Sequence, residues 1–251
     1  MIASLPMYDR PETRAAHDRF WHLIRSHLPS DIEAPERLQR GSDPWTDWRH
    51  PDLFLSQTCG LPFRAELHKD LALVATPVHD LPGCPAGYYR SVLVARRTDT
   101  REDLHAFRGA RLALNDPLSQ SGWAAVESAG VGFGSGRLTG SHSLSARAVA
   151  EGLADIAAID AVSWAGISRW DVWASDLRII AETEPTPALP YVTAHPDLVE
   201  NLSAALAAAA DQLSSQERVL LGTSAVIQLT VDRYTEIPLP TVPEDHFPLA
   251  D

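Results

Sequence analysis

Residues 111–128 read Arg-Leu-Ala-Leu-Asn-Asp-Pro-Leu-Ser-Gln-Ser-Gly-Trp-Ala-Ala-Val-Glu-Ser. Residues 111–114 form a short apolar run, the pattern of a buried strand. Asn115-Asp116-Pro117 is turn chemistry, because Asn and Asp bond locally and Pro presets the backbone. Residues 119–128 then read as a helix that opens on hydroxyl side chains. A strand feeding a helix through a tight polar turn is the elementary unit of an α/β fold.

The same grammar repeats outward in both directions. Residues 2–7 and 52–57 are apolar and strand-like, and each leads through a polar turn into helical spacing. Asp9, with Pro11 and Glu12 behind it, reads as the N-cap of the first helix. Residues 71–78, 89–96, 156–159, 177–181 and 191–193 are further strands. Residues 141–152 open another helix, and the alanine-rich stretch 197–213 is helical on propensity. Residues 130–136 (GVGFGSG) follow a helix and read as a loop. Residues 236–251 hold four prolines and read as an extended tail. This alternation predicts an α/β fold with mostly parallel sheets.

Composition narrows the function classes. The chain has 251 residues and a formal net charge of −12. That balance argues against nucleic acid or an anionic membrane surface as partner. No apolar run approaches the roughly 18–20 residues of a membrane-spanning helix, so no membrane insertion is expected. GxGxxG after a strand, a P-loop, HExxH and GxSxG are all missing, so no cofactor or metal is expected. His17, His22 and His27 are spaced by five and do not share a helix face. Two cysteines, Cys59 and Cys84, are too few for a disulfide scaffold. In an oxidising compartment they would bridge; in the cytosol they would be two thiols. The start, MIASLPMYDR, shows no basic segment followed by an apolar run. A cytoplasmic protein follows if Met1 is the native start, and a periplasmic one if a leader was removed.

Three constellations carry chemistry. Ser119, Gln120 and Ser121 stand at a helix start, where outward N–H groups and the helix dipole favour an anion. His142, after Gly140 and Ser141, stands at a second such start. Asp160 ends an apolar strand, where ligands of open α/β sheets bind. Each has a plainer reading as a helix cap.

Taken in order, these pieces resemble the phosphate/phosphonate-type substrate-binding proteins of ABC transporters, which have the type II periplasmic binding protein fold. The matching pieces are Ala3-Ser4-Leu5-Pro6-Met7-Tyr8, Leu55-Ser56-Gln57-Thr58, and the run from Gly87 to Val94. They continue with Asn115-Asp116-Pro117 before Ser119-Gln120-Ser121-Gly122, Gly140-Ser141-His142, the run from Ala154 to Asp160, and Leu189-Pro190-Tyr191. The resemblance implies two α/β lobes joined by two crossing strands, with lobe 1 at residues 1–88 and 190–251 and lobe 2 at 89–189.

It further implies a small oxyanion, phosphonate, phosphate or phosphite, gripped in the interlobe cleft, and an ABC transporter permease as partner. Ser119, Gln120, Ser121 and His142 would bind from lobe 2, Tyr8, Gln57 and Thr58 from lobe 1, and Tyr89 from the hinge. Asp160 would bond a protonated oxygen or an amine of the ligand. Leu189 stands where aminophosphonate-binding members carry an acidic residue, which argues against such a ligand. The alternative is a cytoplasmic enzyme or ligand sensor on the same fold acting on a small anionic metabolite. For an enzyme, His142 with Asp160 is the acid/base pair the residues offer.

Overall fold

The computed structural model describes residues 1–250. Along the chain it forms β1 (Ile2–Ser4), α1 (Arg14–Ser26), α2 (Pro44–Trp48), β2 (Leu53–Gln57), α3 (Gly60–Ala65) and β3 (Ala72–Val78). Next come β4 (Tyr88–Tyr89), β5 (Ser91–Arg96), β6 (Arg111–Leu114), a π-helical turn (Gln120–Ala124) running into α4 (Ala125–Ser128), and β7 (Ser135–Leu138). Then follow α5 (His142–Ala150), β8 (Ile156–Asp160), α6 (Ala161–Trp170), β9 (Leu177–Glu182), β10 (Thr186–Pro187) and β11 (Tyr191–Thr193). The chain closes with α7 (Val199–Asp211), α8 (Ser215–Leu221), β12 (Ala225–Ile227), α9 (Val231–Thr235) and β13 (Leu249–Ala250).

Packing divides the chain into two units, Met1–Tyr88 with Pro187–Ile237, and Tyr89–Thr186 with Pro238–Asp251. In the first, the sheet order is β1-β2-β11-β3-β12. All five residues of β2 are buried, as expected of a strand covered on both faces. The α7 residues Leu202, Ala205, Leu206 and Ala209 recur at helical spacing and share one core with Phe20, Trp21 and Ile24 of α1. In the second unit the sheet order is β13-β7-β6-β8-β5-β9. Strand alternation sorts its core into two layers. Leu112, Leu114, Ile156 and Ala158 face one side with Trp123 and Phe247, and Ala113, Ala157 and Ile159 face the other with Ala146 and Val149. β4 and β10 pair as a two-stranded sheet.

Strand directions are mixed. β1–β2, β6–β7, β6–β8 and β7–β13 run parallel. β11 and β12 in the first unit, and β5 and β9 in the second, run antiparallel to their neighbours. β5 and β11 each lie where the chain has just entered a unit, so no helical crossover sets their direction.

Three readings of the sequence are corrected. The tail from Pro238 onward packs with the second unit, not with residues 1–88. Its Phe247 meets the Trp123 ring edge-on, and Leu249 pairs with Gly136. Asp9 is not the cap of α1, whose N-cap is Thr13. Its carboxylate instead takes a 2.6 Å bond from Arg40, a charge-assisted contact stronger than a neutral cap bond. The glycine-rich stretch 130–136 is not loop throughout, because β7 begins at Ser135. A Cβ at Gly136 would come within 2.5 Å of both Leu249 and Phe247, so the residue that weakens the strand signal is the one the tail requires.

Asp155 ties β6 to β5. It accepts from Arg111 at 2.8 Å and from Arg96 at 3.2 Å, and these guanidinium bonds hold its carboxyl far below the usual range. A depressed carboxyl contributes stability above its unfolded value and loses it as pH falls below about 4. Asp155→Asn is expected to cost about 1–3 kcal/mol at pH 7. The gap between the melting temperatures of the two proteins should be level above about pH 5 and narrow steadily as pH falls below about 4; a gap of the same size at pH 6 and pH 3 contradicts the assignment.

Candidate functional site

The second unit gathers most of the candidate residues. β6 ends at Leu114 and delivers the chain through Asn115-Asp116-Pro117 into the π-helical turn. Ser119 is the N-cap, and its hydroxyl oxygen accepts from the Gly122 amide at 2.9 Å. The Ala124 amide donates to Ser119 O at 3.0 Å, the five-residue reach that makes the turn π-helical. Gly122 is demanded here, since a Cβ would lie 2.0 Å from Asn115 Oδ1 and 3.0 Å from Ser119 Oγ. Ser119, Gln120 and Ser121 are all buried.

α5 starts at His142, capped by Ser141, whose Oγ accepts from Leu144 N at 3.2 Å. The two helix starts meet: Ser121 Oγ and His142 Nε2 are hydrogen-bonded at 2.8 Å. Ser91, on β5, donates its hydroxyl to Ser121 O at 2.8 Å and stands opposite Asp160 in the sheet register. Asp160 is buried, and its Oδ1 accepts from the amides of Val162 and Ser163 at 2.7 and 3.0 Å. The capping role therefore occupies that oxygen. His142 and Asp160 are each engaged with other groups, His142 with Ser121 and Asp160 with the α6 amides, so the hydrogen bonding does not assemble them as an acid/base pair.

Ser91 was missed in the sequence. Its one signal is strand alternation, which puts it on the same face as Tyr89 two residues earlier. Tyr89 itself is buried in β4. Arg90, next to it, is ion-paired with Glu182.

The first unit places its candidates around β2. Gln57 is buried, and its side-chain amide donates to Leu189 O at 3.1 Å. The Thr58 amide donates to Pro190 O at 3.0 Å, while its fully buried Oγ1 has no hydrogen-bond partner. Tyr8 is half-buried and meets the His79 ring edge-on at 5.7 Å. Tyr8 and Gln57 border a cavity of about 10 Å³ together with His17, Tyr191 and Thr223, too small for an oxyanion. Cys59 and Cys84 are both half-buried. Cys59 caps α3 and Cys84 is held in a turn by its amide bond to Leu81 O, so each backbone is fixed locally.

Burial sets the charge state of the site. It pushes His142 down to about 4, outweighing a bond to the Ala158 main chain. Desolvation takes His79 to about 4 as well, against its bond to Gly222 O. Both rings are neutral at pH 7. Unfolded, each would take up a proton near pH 6.5, so the unfolded state binds more protons between about pH 6.5 and 4. Stability is expected to be level from pH 7 to 8 and to fall as pH drops through that window. A melting temperature that does not change between pH 6.5 and 4.5 contradicts this.

Hydroxyls, a neutral imidazole and helix first turns are groups that select an anion by geometry. A family model for the periplasmic substrate-binding proteins of ABC phosphonate transporters matches residues 52–230.

The chain belongs to this family.

It is a solute-binding protein for a small oxyanion, a role that implies a transporter permease as partner. No curated protein sequence matches the chain. Solved structures similar to this binding protein include PhnD1 from Prochlorococcus marinus in complex with methylphosphonate. It is 16% identical, with a TM-score of 0.74, and 94% of each chain is covered. A binding protein component of an ABC phosphonate transporter from Pseudomonas aeruginosa is 15% identical, with a TM-score of 0.68 and coverage of 93% of this chain and 83% of that one. XAC2383 from Xanthomonas citri, bound to chloride ion, is 15% identical, with a TM-score of 0.67 and coverage of 94% and 96%. At these identities the likeness establishes the type II periplasmic binding protein fold of the receptor.

Proposed function

We propose that this receptor binds a phosphonate, and that its second unit holds the phosphonyl oxygens on Ser119, Gln120, Ser121 and His142. The Ser121–His142 contact carries the reading, since it joins two helix starts that lie 21 residues apart in the chain. Three tetrahedral oxygens need several convergent donors, and helix first turns supply them without side-chain cost. Within the first unit, Thr58 has a buried hydroxyl with no bond already made, while Gln57 is committed to Leu189 O. Tyr8 and Tyr89 supply aromatic edges and phenol groups. Asp160, which positions α6 by accepting from the Val162 and Ser163 amides, would bond a protonated ligand oxygen.

Leu189, apolar and buried, offers no charge to an ammonium group, which favours simple alkylphosphonates over aminophosphonates. Titration calorimetry with methylphosphonate, 2-aminoethylphosphonate, phosphate and phosphite tests this. Methylphosphonate is expected to bind most tightly; binding of none of the four, or preference for the aminophosphonate, overturns it.

A further inference from the structure

The tail from Pro238 onward does more than cover apolar surface. It converges on the helix that begins at the candidate oxyanion site. Trp123, the fourth residue of the π-helical turn and two after Ser121, is buried. Its indole N–H donates to Thr241 O at 2.6 Å. Its ring meets His246 and Phe247 edge-on, at 5.2 and 5.6 Å between centroids. One turn further, Glu127 accepts from the Thr241 amide at 2.9 Å and from its hydroxyl, and lies 3.6 Å from His246. β13 then anchors the tail's end beside β7.

A π-helical turn is less stable than an α-helical one and persists where surrounding contacts over-determine it. Here the contacts come from the Ser119 cap on the Gly122 amide on one side and from the tail on the other. The turn's wider winding decides where Ser121 points, and therefore whether its hydroxyl meets His142.

We infer that residues 238–250 are a strap that sets oxyanion affinity by holding Trp123, and through it the π-helical turn, with Trp123 as a positioning residue. The inference rests on the assignment of Ser121 and His142 to ligand binding. It gives the tail a part in recognition although no tail residue is assigned a contact with ligand. With the strap displaced, the turn relaxes toward α-helical winding and Ser121 turns away from His142.

Trp123→Phe keeps an aromatic ring against Phe247 and deletes only the N–H bond to Thr241 O. A second variant ends the chain at Ile237, and a synthetic peptide of residues 238–251 is added back to it. Calorimetry with methylphosphonate reads affinity, and NMR of the His142 ring without ligand reads the Ser121–His142 contact. Expected are at least a tenfold loss of affinity in Trp123→Phe, a His142 titration midpoint moved toward that of an ordinary histidine, and recovery of affinity when the peptide is added to the truncated chain. A merely structural strap would lower the melting temperature and leave the midpoint of the folded variant in place. An unchanged His142 midpoint together with unchanged affinity in Trp123→Phe overturns the inference. If the unaltered protein binds none of the oxyanions, the ligand reading fails, and the His142 midpoint alone still decides the strap.

Discussion

Ser121→Ala is expected to weaken methylphosphonate binding about 10- to 150-fold while the fold remains intact. A hydrogen bond to a charged group contributes about 1.5–3 kcal/mol, and each 1.4 kcal/mol is about tenfold in affinity. Two losses combine at this position. The ligand oxygen loses a hydroxyl donor, and His142 Nε2 loses the partner now 2.8 Å away. The two residues act as one unit, so Ser121→Ala with His142→Ala should cost less than the sum of the single changes. Calorimetry on the four proteins of that cycle checks it. Affinity unchanged in Ser121→Ala removes the serine from the site, and strict additivity denies the coupling.

Gly122→Ala is expected to have the larger effect on the turn. The new methyl would stand 2.0 Å from Asn115 Oδ1, far inside contact distance, and 3.0 Å from the Ser119 hydroxyl that caps the helix. Overpacking of this kind costs about 1–3 kcal/mol. Relief requires the Asn115 side chain to leave or the turn to shift, and a shift carries Ser121 with it. More than a hundredfold loss of affinity is therefore expected, with a lower melting temperature. The clash also names its remedy. Asn115 Oδ1 is a buried acceptor with no hydrogen-bond partner, so its removal gives up little. Asn115→Ala in the Gly122→Ala background should restore most of the stability and part of the binding. If the double variant is no better than the single one, the close approach of Asn115 is not what requires glycine at 122.

Much of the architecture was legible because its causes are local. Leu112, Ala113 and Leu114 alternate between the two core layers as their apolar pattern demands. The alanine-rich α7 follows from propensity and from an apolar stripe at helical spacing. Illegible elements depended on distant partners. β7 hides in a glycine-rich run because Gly136 is shaped by Phe247 and Leu249, more than a hundred residues on. Asp9 resembles a cap by every local rule, yet a charged partner 31 residues away takes its carboxylate. The candidate site divides the same way. Ser119 and Asp160 do what their positions at helix starts suggest, and Ser91 becomes visible only when β5 is laid against β8.

By itself the sequence determined much of the alternation of strands and helices, the hydroxyl-rich helix starts, and a family likeness carried by short motifs in sequence. Periodicity and turn chemistry act over a few residues, so they can be read from a few residues. Only the tertiary structure decided that Ser121 meets His142, that Thr58 keeps its hydroxyl unspent, and that the proline-rich tail closes on Trp123 across 118 residues of chain. Those contacts depend on the order of strands within a sheet and on which element returns to cover it. Spacing along the chain does not encode that order; the free energy of burying all the apolar faces at once does.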